Sequence, residues 1–132
     1  MMSASMSEIP DDLFYTEDHE WLRIDGNMAI VGITDHAQDA LTDIVYVELP
    51  EVGSSFAAGE EFASVESVKS VSGIYIPVDG EVVEANEELE DAPELINSDP
   101  YGEGWIAKIS LADGWSQETL LDAAGYQSVI GA

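Results

Sequence analysis

The chain has 132 residues, 45% of them apolar, which is enough for one core and one ordinary domain. It carries 28 Asp plus Glu against 3 Lys plus Arg, and the resulting net charge of −25 argues against nucleic-acid and anionic-membrane partners. With no cysteine, disulfides, thiol catalysis and cysteine metal sites are excluded, and no apolar run approaches the roughly 20 residues of a membrane helix.

The acids are scattered, which reads as a solvated surface over a normal core and suits concentrated salt. In about 1 M salt the Debye length falls to about 3 Å, and repulsion between surface carboxylates is screened. Residues 1–8 lack the basic and apolar parts of a signal peptide and the arginines of a transit peptide, so the expected location is the cytoplasm.

In chain order, residues 1–9 read as a small polar leader expected to be disordered, and residues 10–132 as one domain. Trp21–Ile24, Asp25-Gly26-Asn27 and Met28–Val31 read as two strands around a turn, because Asp-Gly tolerates positive φ at both turn positions. Thr34 is placed to cap a short helix through Ala37, Gln38, Ala40 and Leu41. Asp43–Leu49 is rich in Ile, Val and Tyr and stops at Pro50, so it reads as a strand. Phe62–Val65, Ile74–Val78, Glu81–Val83 and Trp105–Ile109 are short apolar runs separated by Gly, Asn and Pro, the pattern of a sandwich or barrel-like sheet. Ser116–Ala124 reads as a helix with Ser116 as N-cap and Gly125 as stop. An offset of 33 residues lays Gly53 on Asn86, Phe56 on Leu89, Phe62 on Leu95 and Lys69 on Gly102, which predicts two similar units with approximate two-fold symmetry.

Only two lysines occur, Lys69 and Lys108. Alternation in Trp105–Ile109 sets Lys108 opposite Trp105, Ala107 and Ile109, where pairing with a neighbouring acid accounts for it. Lys69 instead falls between two strand-like runs, in Glu66-Ser67-Val68-Lys69-Ser70, at the tip of a predicted hairpin. An exposed amine on a flexible stem, with Ser67 and Ser70 leaving space around it, fits either a solvated turn lysine or the tether of a prosthetic group.

The motif Glu66-Ser67-Val68-Lys69 resembles the lipoyl-attachment motif of glycine cleavage H proteins. So do Thr16–Trp21, Val31–Gln38, Asp43–Pro50 and Ser98–Trp105, in the family's order and spacing, so the resemblance runs from about Asp12 to Tyr126. Gly73 departs from it, where a family member often carries Asp, which bears on a detail of the turn. The resemblance implies a mainly β barrel-sandwich hybrid like that of lipoyl and biotinyl domains, with a short helix after the N-terminal hairpin and a C-terminal helix. It implies lipoate bound covalently to Lys69, with Glu66 aiding recognition by a lipoate-attaching enzyme. It further implies a non-catalytic shuttle serving glycine decarboxylase, an aminomethyltransferase and dihydrolipoamide dehydrogenase. The chain has no P-loop or nucleophile elbow, in keeping with a carrier whose cofactor performs the chemistry.

Glu17-Asp18-His19-Glu20 lacks the His-Glu-x-x-His pattern of a metal site, and adjacent strand residues point to opposite faces. By motif position, the resemblance makes Glu20 and His36 the walls of a cleft into which the loaded arm folds back; without it they read as a strand charge and a helix-surface histidine. Three other carriers are weighed. A lipoyl domain of a 2-oxoacid dehydrogenase complex sits in a longer chain with linkers and catalytic domains. A biotin carrier has Met on both sides of its lysine, where this chain has Val68 and Ser70. An H-like protein that relays lipoate to other enzymes remains open as a second role.

Overall fold

The computed structural model describes residues 8–115 and 120–131. Among the described residues, nine strands and four short helices follow one another: β1 (Phe14–Tyr15), β2 (Glu20–Asp25), β3 (Met28–Ile33), α1 (Asp35–Leu41), β4 (Ile44–Glu48), β5 (Ser55–Phe56), β6 (Glu61–Ser67), β7 (Val71–Tyr75), β8 (Gly80–Ala85), α2 (Glu88–Asp91), α3 (Leu95–Ser98), β9 (Ala107–Leu111) and α4 (Ala123–Ile130). They build a six-stranded sheet, in the order β1-β2-β3-β9-β8-β5, and a three-stranded sheet, β4-β6-β7. Every named strand pair is antiparallel, so alternate side chains of each sheet face inward. Leu22, Val31, Ile109 and Val82 from the larger sheet meet Val47, Val65 and Ile74 from the smaller one in a common core.

The predicted hairpin forms, with Asp25 opposite Met28, so the loop is Gly26-Asn27. Only Gly26 there takes a positive φ, 64°, the glycine-first arrangement, and not the doubly positive turn that Asp-Gly suggested. Thr34 caps α1 as expected, its hydroxyl accepting from the Ala37 N–H. Ile74–Val78 is strand only as far as Tyr75, although Ile76 and Val78 stay in the core.

Beside the main core lies an aromatic one. Tyr15 and Tyr126 stack at 4.8 Å between ring centroids, and Trp21 donates its indole N–H to Pro100 O at 3.0 Å. Gly32, paired with Trp21 across β2 and β3, leaves no room for a side chain, since an added Cβ would lie 2.7 Å from the indole ring. Glu8 and Ile9, assigned by the sequence to the leader, are held here. The Glu8 N–H donates to Asp35, its carbonyl accepts from the Tyr101 hydroxyl, and Ile9 packs on the aromatic cluster. Residues 1–7 of that leader lie outside the described residues.

Two sequence expectations are overturned. The C-terminal helix runs over Ala123–Ile130, with Asp122 as its N-cap accepting from the Gly125 N–H at 2.8 Å and Gly131 as its left-handed stop. Gly125 is therefore a first-turn residue, and Ser116 lies outside the described residues. Leu121, counted into the helix by its apolarity, instead pairs with Tyr15 as a β-bridge. The 33-residue repeat also fails, because it lays Phe56 and Phe62, on β5 and β6, onto Leu89 and Leu95, on α2 and α3. Burial explains the coincidence, since both kinds of element need apolar residues toward one core.

Candidate functional site

Lys69 stands at the tip of the β6–β7 hairpin. Glu66 opposite Val71 is the last pair of the ladder, leaving residues 67–70 to turn the chain. Ser67 organises that turn. Its Oγ accepts from the N–H groups of Lys69 and Ser70, at 3.3 and 3.1 Å, and its own N–H donates to Ser70 O at 2.8 Å. Ser67 is thus buried and structural, not the spacer that the sequence suggested. The Val68 N–H donates to Asp43 O and moors the tip to the start of β4. A flexible amine therefore projects, exposed, from a rigid base. Glu66 lies on the central strand β6 and turns its exposed side chain outward between Tyr46 and Val71.

Lys108 behaves as its sequence context indicates, with its ammonium 3.4 Å from the Glu84 carboxylate. Its Nζ also lies over the Trp105 ring, 5.3 Å from the centroid, so Trp105 shares its side of the sheet. The alternation argument fails at Trp105 because β9 begins only at Ala107.

Glu20 and His36 do meet in one cleft of about 190 Å³. One wall is Asp18, His19, Glu20, Ile33 and the α1 residues His36, Ala37, Ala40 and Leu41; the other is Val65 with Ser72, Gly73 and Ile74 of β7. Since β7 leaves the Lys69 tip, the cleft lies three to five residues along the same strand, roughly 10–17 Å away at 3.3 Å per residue. A larger and more open groove, beside Val52, Asn86 and Trp105, contains no residue of this hairpin.

Glu20 opens β2 with its carboxylate buried, one oxygen accepting from the Thr16 hydroxyl at 2.6 Å and the other from the Tyr75 N–H at 3.3 Å. That second bond fastens the edge strand β7 to the larger sheet. Burial pushes the Glu20 carboxyl up to about 7, against the opposing pull of the bonds from Thr16 and Tyr75. His36 rides on the first turn of α1, half-buried, its ring 4.9 Å from that of His19.

His19, weighed in the sequence only as a metal ligand, is a second imidazole of the cleft. Its backbone is left-handed, φ 71°, and its Nδ1 lies 2.8 Å from the Tyr126 hydroxyl, itself 2.7 Å from Thr34 Oγ. Burial, then the neighbouring His36, lowers the His19 pKa, which favours the uncharged ring. The opposite-faces argument does not apply to this segment, because Glu17–His19 form a turn and Asp18, His19 and Glu20 all reach the cleft. Among the described residues, no three His, Cys, Asp or Glu converge as a metal-binding set. The part played by Tyr126, more than a hundred residues away, left no signal in local sequence. Gly73 lies on β7, outside the turn, where a Cβ would collide with the Glu61 carboxylate.

A family model described as "Glycine cleavage H-protein" matches residues 13–131. The chain belongs to this family. A glycine cleavage system H protein from Herpetosiphon aurantiacus is 58% identical over 125 residues, which are 95% of each chain. Its counterpart from Thermus thermophilus is also 58% identical, over 93% of this chain and 96% of the relative. A crystal structure of a glycine cleavage system H protein from Mycobacterium marinum superposes with a TM-score of 0.84 at 41% identity, covering 94% of this chain and all of that one. The two-sheet architecture with its short helices is the barrel-sandwich hybrid expected of an H protein. No helix among the described residues is long and apolar enough to cross a membrane.

Proposed function

We propose that this H-family chain is the lipoyl-bearing carrier of glycine cleavage, with Lys69 as the attachment point. The observation that carries the reading is the exposed Lys69 amine on a hydrogen-bonded tip, joined by β7 to a cleft walled by Glu20 and His36. The site fits the group: the amine is accessible, the turn beneath it is rigid, and the cleft is within a few residues along the strand. Bound as an amide on Lys69 Nζ, lipoate would supply a disulfide–dithiol couple, able to carry an aminomethyl group on one sulfur when the disulfide is opened. Attachment removes the lysine charge and leaves the arm's motion to its single bonds. Glycine decarboxylase, an aminomethyltransferase and dihydrolipoamide dehydrogenase are the enzymes that the arm visits, and the chain itself catalyses none of their steps.

Glu20 and His36 protect the loaded arm in this reading. A free aminomethyl nitrogen can expel the thiolate through its lone pair, whereas a protonated one cannot. An ammonium entering the cleft favours the ionised form of Glu20, which in turn holds the proton on nitrogen. The lowered pKa of His19 disfavours an opposing charge there, and His36 orients the amine by hydrogen bonding. The wall formed by β7 and α1 limits water.

Reconstituted glycine cleavage tests the function. Carbon dioxide release should require this chain in its lipoylated form and stop with Lys69→Arg. Transfer of the lipoyl group to a 2-oxoacid dehydrogenase, without support of glycine cleavage, would favour the relay reading instead. Glu20→Ala and His36→Ala should still accept the aminomethyl group but release ammonia and formaldehyde faster than the parent when the transferase is absent. Glu66→Ala should slow lipoylation while shifting stability by no more than about 0.5 kcal/mol, as for an ordinary surface position.

A further inference from the structure

Apolar exposure is unevenly distributed over this acidic surface. Eight large apolar side chains stand exposed among the described residues, and Val45, Tyr46, Val68, Val71 and Tyr75, five of them, lie on β4, β7 and the hairpin tip. Tyr46, Glu66 and Val71 are directly opposed across β4, β6 and β7, so they form one row on the outer face. Tyr46 and Val71 are 54% and 68% exposed, and Val68 beside Lys69 is 66% exposed, so apolar side chains flank Glu66 in the row and stand on both sides of exposed Lys69 and Ser70 at the tip. The core needs none of these side chains; it is filled from the inner face of the same sheet by Val47, Val65 and Ile74. Exposed Asp43 and Glu48 border the patch, and the exposed Glu61 carboxylate reaches over Gly73 between Val71 and Tyr75.

We propose that the outer face of the β4-β6-β7 sheet is the docking surface for the enzyme that acylates Lys69, with Tyr46 and Val71 as its apolar anchors. The proposal rests on the Lys69 reading. An enzyme that brings an activated acyl group to Nζ must cover the ground around the tip, and this row is the apolar ground continuous with it. The partner's complementary face carries an apolar centre and a basic rim, matching the bordering carboxylates. The apolar centre matters for a chain of net charge −25. In about 1 M salt the Debye length is only about 3 Å, so rim attraction fades while apolar contact remains.

The test is steady-state acylation of the full chain by a lipoate–protein ligase with lipoate and ATP. Tyr46→Thr/Val71→Thr leaves a residue of good strand propensity on both strands, and Val52→Thr/Val83→Thr serves as the control away from the hairpin. The anchor variant should raise the KM for the chain by about tenfold, which is about 1.4 kcal/mol for the two anchors together. Its kcat and thermal midpoint should match the parent's, and the KM ratio should persist from about 0.1 M to about 1 M salt. An unchanged KM, a loss confined to kcat, or an equal effect of the control pair would overturn the docking surface while leaving Lys69 in place. A parent chain that accepts no lipoate would overturn the Lys69 reading and this inference together.

Discussion

The Lys69 tip and the Glu20–His36 cleft are built by opposite means. The tip is local: residues 67–70 hold it through the Ser67 hydroxyl, with one mooring bond to Asp43. The cleft draws on residues 18–20, on α1 and on β7, with Tyr126 of the last helix behind His19. A local device can lose its chemistry without losing the fold. An assembled one shares its groups with the fold, so its chemistry and the protein's stability move together.

The sharpest division between the two is Lys69→Arg. It should abolish the mass gain on lipoylation completely and leave the thermal midpoint unchanged, whereas Lys108→Arg should still be modified; peptide mapping that located lipoate on Lys108 would refute the assignment. Gly32→Ala acts on the support of the other region, the aromatic core that begins with Trp21 next to Glu20. Its Cβ would meet the buried Trp21 ring at 2.7 Å, and denaturant unfolding should show a loss of about 2–3 kcal/mol. Below its unfolding range the variant should lipoylate at the parent's rate, because the tip makes no use of that contact.

Glu20→Gln separates charge from shape in the cleft. The folded chain holds a proton on Glu20 up to about 7, against 4.5 as the ordinary value. Between those two pH values the folded state binds more protons than the unfolded one, so this residue makes the protein less stable as pH rises. The penalty is complete above pH 7 and is at most about 3 kcal/mol, at 1.36 kcal/mol per unit. The glutamine variant should therefore gain about 1–3 kcal/mol on the parent as pH goes from 4.5 to above 7, with little difference below that window. A difference independent of pH would mean that Glu20 is ionised throughout. The smallest effect belongs to the tip again. Ser67→Ala deprives the Lys69 and Ser70 N–H groups of their acceptor, and should cost about 1 kcal/mol in unfolding experiments and slow acylation modestly.

The regions differ also in how far they could be read in advance. Thr34 as helix cap, the β2–β3 hairpin and Lys69 on a tip were all legible, because cap, turn and hairpin chemistry acts within a few residues. Beginning α4 at Ser116 and stopping it at Gly125 went astray, because apolar Leu121 serves a bridge to β1 and the capping is done by Asp122. β1 and β5 escaped notice, being two residues long and defined only by the neighbours they pair with. The false two-fold repeat arose from the same limit, since apolar spacing reports burial and not the kind of element.

By itself, the sequence determined what four to eight neighbouring residues can settle: a β-rich fold, the capped α1 and an accessible lysine with its flanking motif. It also determined the charge of −25, which follows from composition alone. The tertiary structure decided the cleft. Glu20 is buried by strands that close over it, His19 meets Tyr126 across 107 positions, and Gly73 faces Glu61 only because β6 and β7 pair in that register. Burial and the hydrogen bonds that compensate it depend on which distant segments share a surface, and a carboxyl held near 7 exists only once that surface has formed.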